Sequence, residues 1–400
     1  MTPSEILCQL IATPSVNPMG RDLQGDIYHE SRMSDWLESY FQRLGADYER
    51  VEVAPGRANV IARYEASNSE HTILMDAHQD TVPVDGMTIE PFQPQLRDGR
   101  ITGRGAADVK GGMAAMLHAF ARLFTERSSG PAHVVLSCTC DEEATTLGVQ
   151  DLVGYWQAWG DEFRPSKSRL LAIQPTCAVI AEPTELDVVV AHRGVVRCQV
   201  HTHGVAVHSS EPSRGKNAIY DMARVVSQLE TIASQLPGAI PPHPLCGPAS
   251  LSVGRIEGGT SVNVVPAHCR IEIDRRLLPG EDPGQVWESL SAACTEVSPS
   301  ATCDPPWVSS PALASDDNAW LAQSMMRKIA EVTSPRPSVG VPYCTHAGTI
   351  SSAGVPSIVF GPGSIHQAHT PDEYIDIRSL DQAAEIYFRF CTDVDLFHNG

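Results

Sequence analysis

Short apolar runs that each end in an acid or a histidine constrain the fold of this chain more than any other feature. Thr72-Ile-Leu-Met-Asp76-Ala-His78 is one such run. Val134 to Thr139 leads into Asp141-Glu142-Glu143, Val179-Ile-Ala181 into Glu182, and Pro356 to Phe360 into a segment carrying His366 and His369. Continuous apolar runs of this length read as strands buried on both faces. Between them lie helical patterns. Met33, Trp36, Leu37, Tyr40, Phe41 and Leu44 recur at three- and four-residue steps and stop before Gly45, a glycine C-cap, and a further helix fits Gly112 to Thr125. Strands alternating with helices predict an α/β domain, a mixed sheet covered by helices.

The 400 residues exceed what one core organises, about 250 to 300, so a second domain is expected. The pattern changes at about His192. A long alternating stretch runs to Val207, a helix fits about Lys216 to Gln235, strands fit Leu251 to Ile256 and Ser261 to Arg276, and a helix fits Pro283 to Cys294, with proline-rich flanks. This is an α+β arrangement, placed as an insertion at 192–305 within an α/β domain made of 1–191 and 306–400. The later part returns to a helix at about Asp317 to Glu331 and the strand Pro356 to Phe360.

Charge narrows the partners. Lys plus Arg is 29 against 48 Asp plus Glu, a formal net charge of −19, which is opposite to the basic footprint that nucleic acid or an anionic membrane requires. The 11 cysteines are scattered without a Cys-x-x-Cys pair, which fits a reducing compartment, and Cys138 and Cys140 read as small buried hydrophobes. The first residues carry no basic n-region, and no apolar run is long enough to span a bilayer, so a soluble, cytoplasmic protein is expected.

Several catalytic signatures are missing. Gly103-Arg-Gly105-Ala-Ala-Asp108 puts an acid where a dinucleotide fingerprint needs a small residue, no Walker loop or Gly-x-Ser-x-Gly elbow occurs, and His29-Glu30 lacks the second histidine of a zincin helix. What remains is a set of acids and histidines at strand ends, where open α/β sheets build their sites. Asp80, two residues after His78, can hold its imidazole as a supporting carboxylate holds a metal-bound histidine; an ion pair in a solvated loop is the alternative. Asp108 precedes a helix, where an acid also serves as a cap, but Gly103, Gly105, Gly111 and Gly112 around it argue for close backbone approach or unusual dihedrals. Three consecutive acids after a buried strand repel one another unless a cation is present. Oxygen and nitrogen ligands without a thiolate suit two divalent ions sharing one bridging carboxylate.

With these residues the chain resembles the di-zinc amidohydrolase and exopeptidase family that includes acetylornithine deacetylase, succinyl-diaminopimelate desuccinylase, aminoacylase and glutamate carboxypeptidase. The resemblance spans nearly the whole chain and rests on Asp76-Ala-His78-Gln-Asp80-Thr-Val-Pro83, Gly105-Ala-Ala-Asp108-Val-Lys110-Gly-Gly, Asp141-Glu142-Glu143, Ala181-Glu182-Pro-Thr184 and Ala368-His369-Thr-Pro-Asp-Glu373. It implies a zinc-exopeptidase-like catalytic domain with an inserted lid that also forms a homodimer. It further implies two metal ions, zinc with cobalt as the alternative, with Asp108 bridging, His78 and Glu182 completing one site, and Glu143 and His369 the other. Asp80 would support the centre and Glu142 would be the general base, an assignment that position alone does not separate from Glu143. A cis peptide between Asp108 and Val109 is also implied.

In the insertion, His208 of Gly204-Val-Ala-Val-His208 matches a histidine that reaches the neighbouring subunit's site to stabilise the oxyanion. Asn263 and Arg276 match residues that hold a substrate carboxylate, which suits a guanidinium fork. A turn role for Asn263, an ion pair of Arg276 with Asp274, and Arg275 as a rival stay open. His201 and His203 alternate on one strand face as a metal pair can, but are read as a solvated strand, and His366 is set aside in favour of His369.

Pro342-Tyr-Cys-Thr345-His346 and Gly361-Pro-Gly-Ser364 look most like acetylornithine deacetylase, but His346 stands where that branch carries an acid, removing a negative charge that suits a cationic substrate. The expected function is hydrolysis of the amide of a small N-acyl amino acid, N-acetylornithine or a relative, by a metal-bridged water. A dipeptidase or carboxypeptidase with the same centre is the alternative, and a non-catalytic binding protein of the same fold is a further one.

Overall fold

The computed structural model describes residues 1–67, 69–126, 130–156 and 168–397. It divides into two compact units, one of Met1–Val190, Ser315–Val339 and Thr345–Gly400, the other of Ala191–Ala314 with Gly340–Cys344. The expected insertion at 192–305 therefore extends further along the chain. Its added strand, Val308–Ser310, pairs antiparallel with Gly194–His203 and so joins the second unit's sheet.

The first unit is built on an eight-stranded mixed sheet in the order Asp47–Ala54, Arg57–Tyr64, His133–Thr139, Thr72–His78, Cys177–Ile180, Ser357–Val359, Val188–His192, Ser338–Val341. Four neighbours, His133–Thr139, Thr72–His78, Cys177–Ile180 and Ser357–Val359, run parallel. Their register aligns the carboxyl ends: His78 pairs with Thr139, Asp76 with Ile180, and Val359 with Ile180. Every residue of Thr72–His78 is buried, as a strand covered on both faces requires.

Helices cover this sheet. Lys110–Thr125 packs against Ile377–Cys391 and Pro3–Ile11. The helix Ser31–Leu44 buries Met33, Leu37, Tyr40 and Phe41, the stripe that the periodicity predicts, and ends at Gly45, whose φ of 73° costs a residue without Cβ little. Phe41 meets Phe120 edge to face at 5.9 Å between ring centroids, and both rings are fully buried. Each such side chain contributes about 2 to 3 kcal/mol by leaving water.

The second unit is a two-layer α+β fold. Its antiparallel sheet has the order Ser250–Gly258, His268–Leu277, Gly194–His203, Ala301–Cys303. Burial alternates along Gly194–His203 and His268–Leu277, so Cys198, Val200, Ile271 and Ile273 form a core with Met222, Val225, Leu229 and Leu290 of helices Ala218–Ala239 and Pro283–Val297. The opposite face is polar. Two expectations need correction. The alternating stretch from His192 breaks at Arg193 and its strand ends at His203, and the strand expected from Ser261 starts at His268, because 261–267 forms a turn closed by a Val264 N–H to Ser261 carbonyl bond of 3.2 Å.

No disulfide joins cysteines among the described residues, and Cys138 and Cys140 are fully buried. Among the described residues no helix is long and apolar enough to cross a membrane.

Candidate metal centre

The aligned carboxyl ends bring the predicted acids and histidines of the first unit together. Ligand atoms of His78, Asp108 and Glu182 lie within 4.8 Å of one another, and so do those of Asp108, Glu143 and His369. Asp108 belongs to both groups and offers a different oxygen to each: Oδ1 is 3.1 Å from His78 Nε2, and Oδ2 is 3.2 Å from His369 Nε2. Oε2 of Glu143 is 3.3 Å from the same His369 nitrogen.

The donors are prepared for cations. His78 Nδ1 lies 2.9 Å from the Asp80 carbonyl oxygen, which can only accept, so Nδ1 carries a proton and Nε2 is the ring atom left to offer its lone pair to a cation in the cluster. Glu143 Oε1 is buried without a hydrogen-bond partner among the described residues. Four carboxylates are crowded here. Burial raises the pKa of Glu182 well above the usual range, with Asp108 and Glu142 adding to the rise, and burial together with Asp108 raises Glu143 to about 8. Like charges desolvated at this spacing bind protons or metal ions. The lone pair, the orphaned oxygen and the shared Asp108 together fit two divalent ions bridged by one carboxylate.

The loop carrying Asp108 is shaped by its glycines and by Glu373. Gly105 has φ of 84°, and a Cβ on Gly112 would stand 2.9 Å from the Ala181 Cβ, so the helix start can approach the strand end that leads to Glu182 only without a side chain there. Glu373, fully buried, accepts hydrogen bonds from the backbone N–H groups of Gly105 (3.0 Å), Ala107 (2.8 Å) and Asp108 (3.0 Å), and pairs with Arg104 at 2.7 Å. The Asp108–Val109 peptide is cis. His369 turns into the cluster with φ of 63°.

Asp80 stands beside His78 as its spacing predicts, but its carboxylate is engaged chiefly elsewhere. Its Oδ1 is 3.6 Å from His78 Nδ1, further than its own carbonyl oxygen, while the carboxylate accepts the backbone N–H groups of Glu142 (3.0 Å) and Glu143 (3.1 Å) and the Asn17 side-chain amide (2.8 Å). The acid of His-x-Asp thus holds the neighbouring loop as well as the histidine. Asn17 also reaches Asp141 at 2.9 Å, and Arg57 bonds both Asp141 and the buried Glu30. Asn17, Arg57, Glu30 and Arg104 were missed by sequence reasoning, because each acts on a segment remote in the chain. Glu373 stood inside a recognised motif, which was its only signal.

His346 is buried with Nδ1 2.8 Å from Asp76 Oδ2, and Asp76 also accepts from Ser137 and Thr139. The acid absent from position 346 is therefore matched by an acid in contact with it. His346 Nε2 is buried and has no hydrogen-bond partner among the described residues.

The three remaining predicted site residues belong to the second unit. His208 is exposed, with Nδ1 2.7 Å from Ser210 Oγ, and bridges to Val264; the neighbouring Ser209 N–H donates to the Asn263 carbonyl at 3.0 Å. Asn263 Oδ1 accepts from Ser261 at 2.6 Å, a turn contact. Arg276 lays its Nε and Nη2 on Asp274 at 2.7 and 3.1 Å, and the rival Arg275 is buried against Glu281.

Residues 74–393 match the model of peptidase family M20/M25/M40. An acetylornithine deacetylase of Erwinia tasmaniensis is 31% identical over 407 residues, covering 97% of each chain. Among solved structures, a metallo-carboxypeptidase of the family from Sulfolobus solfataricus superposes with TM-score 0.76 at 19% identity over 98% of both chains. A dinuclear metal-binding peptidase of the family from Bacillus subtilis does so with TM-score 0.67 at 14% identity, over 98% of this chain and 97% of its own.

Proposed function

The chain belongs to peptidase family M20/M25/M40 and is a hydrolase, and from that premise we propose that it hydrolyses the amide bond of an N-acyl amino acid, N-acetylornithine or a related N-acetyl amino acid, at a centre of two divalent cations. The observation that carries the reading is Asp108, which turns one oxygen toward His78 and the other toward His369. His78, Glu182 and Asp108 would hold one ion, and Asp108, Glu143 and His369 the other. Zinc is the assigned metal because the donor set is nitrogen and oxygen, with cobalt able to take its place.

When bound, the two cations acidify the attacking water and polarise the amide carbonyl. The chain's own residues do the rest. Asp80 fixes the main chain of Glu142, so that its carboxylate takes the proton from the water and returns it to the leaving amine. His208, supplied by the partner subunit of a homodimer, donates to the developing oxyanion. Asn263 and the outer Nη edge of Arg276, whose Nε side is engaged by Asp274, bind the substrate carboxylate. A cytoplasmic role in amino-acid metabolism, in arginine biosynthesis where the substrate is N-acetylornithine, follows from the same likeness.

The test is a screen of zinc- or cobalt-loaded protein against N-acetyl, N-succinyl and N-formyl amino acids and dipeptides. Acetate release with N-acetyl amino acids preferred supports the reading. Release of a second amino acid from dipeptides, with N-acetyl amino acids untouched, replaces it with a peptidase.

A further inference from the structure

The open face of the second unit's sheet gathers histidines that the proposed reaction does not use. His201 and His203 stand two apart on strand Gly194–His203, and His268 opens strand His268–Leu277 directly opposite His203. His201 Nδ1 and His268 Nε2 are 3.0 Å apart. On the other side of the His201 ring, Nε2 is 3.0 Å from Asp304 Oδ2. A carboxylate there accepts a hydrogen bond from Nε2–H and so leaves a lone pair on Nδ1, the arrangement in which an acid orients a metal-bound imidazole. The second nitrogen, on His268, faces that lone pair.

Nitrogen–metal bonds are about 2.0 to 2.1 Å, so two nitrogens 3.0 Å apart subtend about 90° at a shared ion. A right angle is the cis angle of square-planar and octahedral centres, and it is narrower than a tetrahedral ion prefers. We propose that His201 and His268 form a surface site for a divalent transition metal of tetragonal or octahedral preference, copper or nickel, with Asp304 as the orienting carboxylate. His203 is the nearest further donor. Its ring centroid is 5.5 Å from that of His268, it is exposed, and turning it would give up a 3.4 Å contact with Thr302. The ion would join two strands and the segment carrying Asp304, far along the sheet from Arg276, which pairs with Val195 at the other end.

The full-length protein already carrying two equivalents of zinc receives one equivalent of copper(II). Electron paramagnetic resonance is expected to show a tetragonal centre with imidazole-nitrogen splitting, which His201→Gln and His268→Gln remove. Asp304→Asn should weaken copper affinity by about 10- to 100-fold. Zinc content and hydrolytic rate should not change, and the rate also reports that the glutamine variants fold. Identical copper spectra in the wild type and both glutamine variants, or release of zinc in step with copper uptake, would overturn the proposal and leave the two imidazoles sharing a proton.

Discussion

Asp80 and Glu142 are joined through the main chain: the Asp80 Oδ1 accepts the Glu142 backbone N–H at 3.0 Å, and its Oδ2 accepts that of Glu143 at 3.1 Å. One carboxylate thereby sets the positions of the proposed base and of a proposed ligand in the other metal set. Asp80→Asn keeps the volume but turns an amide N–H₂ toward groups that are themselves donors, wherever its single oxygen is placed. The expected result is a fall in kcat of about 10- to 100-fold with zinc still bound. Steady-state kinetics beside metal analysis checks it, and an unchanged kcat would remove Asp80 from the machinery.

Glu142→Ala separates proton transfer from metal binding. Glu142 belongs to neither ligand group, so the variant should hold two metal equivalents per chain. Turnover should drop by about 10²- to 10⁴-fold, the range of a lost general base. Near wild-type turnover in the fully metallated variant would assign the proton transfer elsewhere.

The parallel strands and the polar residues that end them were legible because each lies on a pattern that burial enforces. A strand covered on both faces must be apolar throughout, and its first polar residue marks where the sheet ends and a site can begin. His78, Glu182 and the acids 141–143 stand at the ends of such runs and Asp108 was marked by its glycines, whereas the choice of Glu143 over Glu142 and of His369 over His366 rested on the family resemblance. The supporting contacts were not legible. The His-x-Asp spacing correctly placed Asp80 near His78, but no periodicity shows that its carboxylate faces a loop 62 residues further on. Asn17 and Arg57 act across similar separations. In the second unit, alternation located the sheet but overran at 261–267, where polar residues in a turn imitate a strand facing water.

Asp76 and His346 should behave as a unit. His346→Glu places a second carboxylate against Asp76 in a buried site, and loss of the partner of a buried charge costs about 3 to 5 kcal/mol. Adding Asp76→Asn to His346→Glu restores a hydrogen bond and should recover most of the loss. Urea unfolding of the two single variants and the double variant measures the coupling. Additive effects would mean that the pair does not act together.

His192 gives the protein a specific acid sensitivity. Its imidazole is fully buried, and burial lowers its pKa from 6.5 to about 4, despite the hydrogen bond of Nδ1 to the Arg193 carbonyl at 2.9 Å. A lowered folded-state pKa means that the unfolded chain binds the proton first, so the contribution is complete above about pH 6.5 and declines as pH falls toward 4. At pH 5 the loss from this one group is about 2 kcal/mol. The wild type should therefore lose more urea-unfolding stability between pH 7.5 and pH 5 than His192→Gln, which has no proton to gain. Equal losses in the two proteins would place the acid sensitivity in other groups.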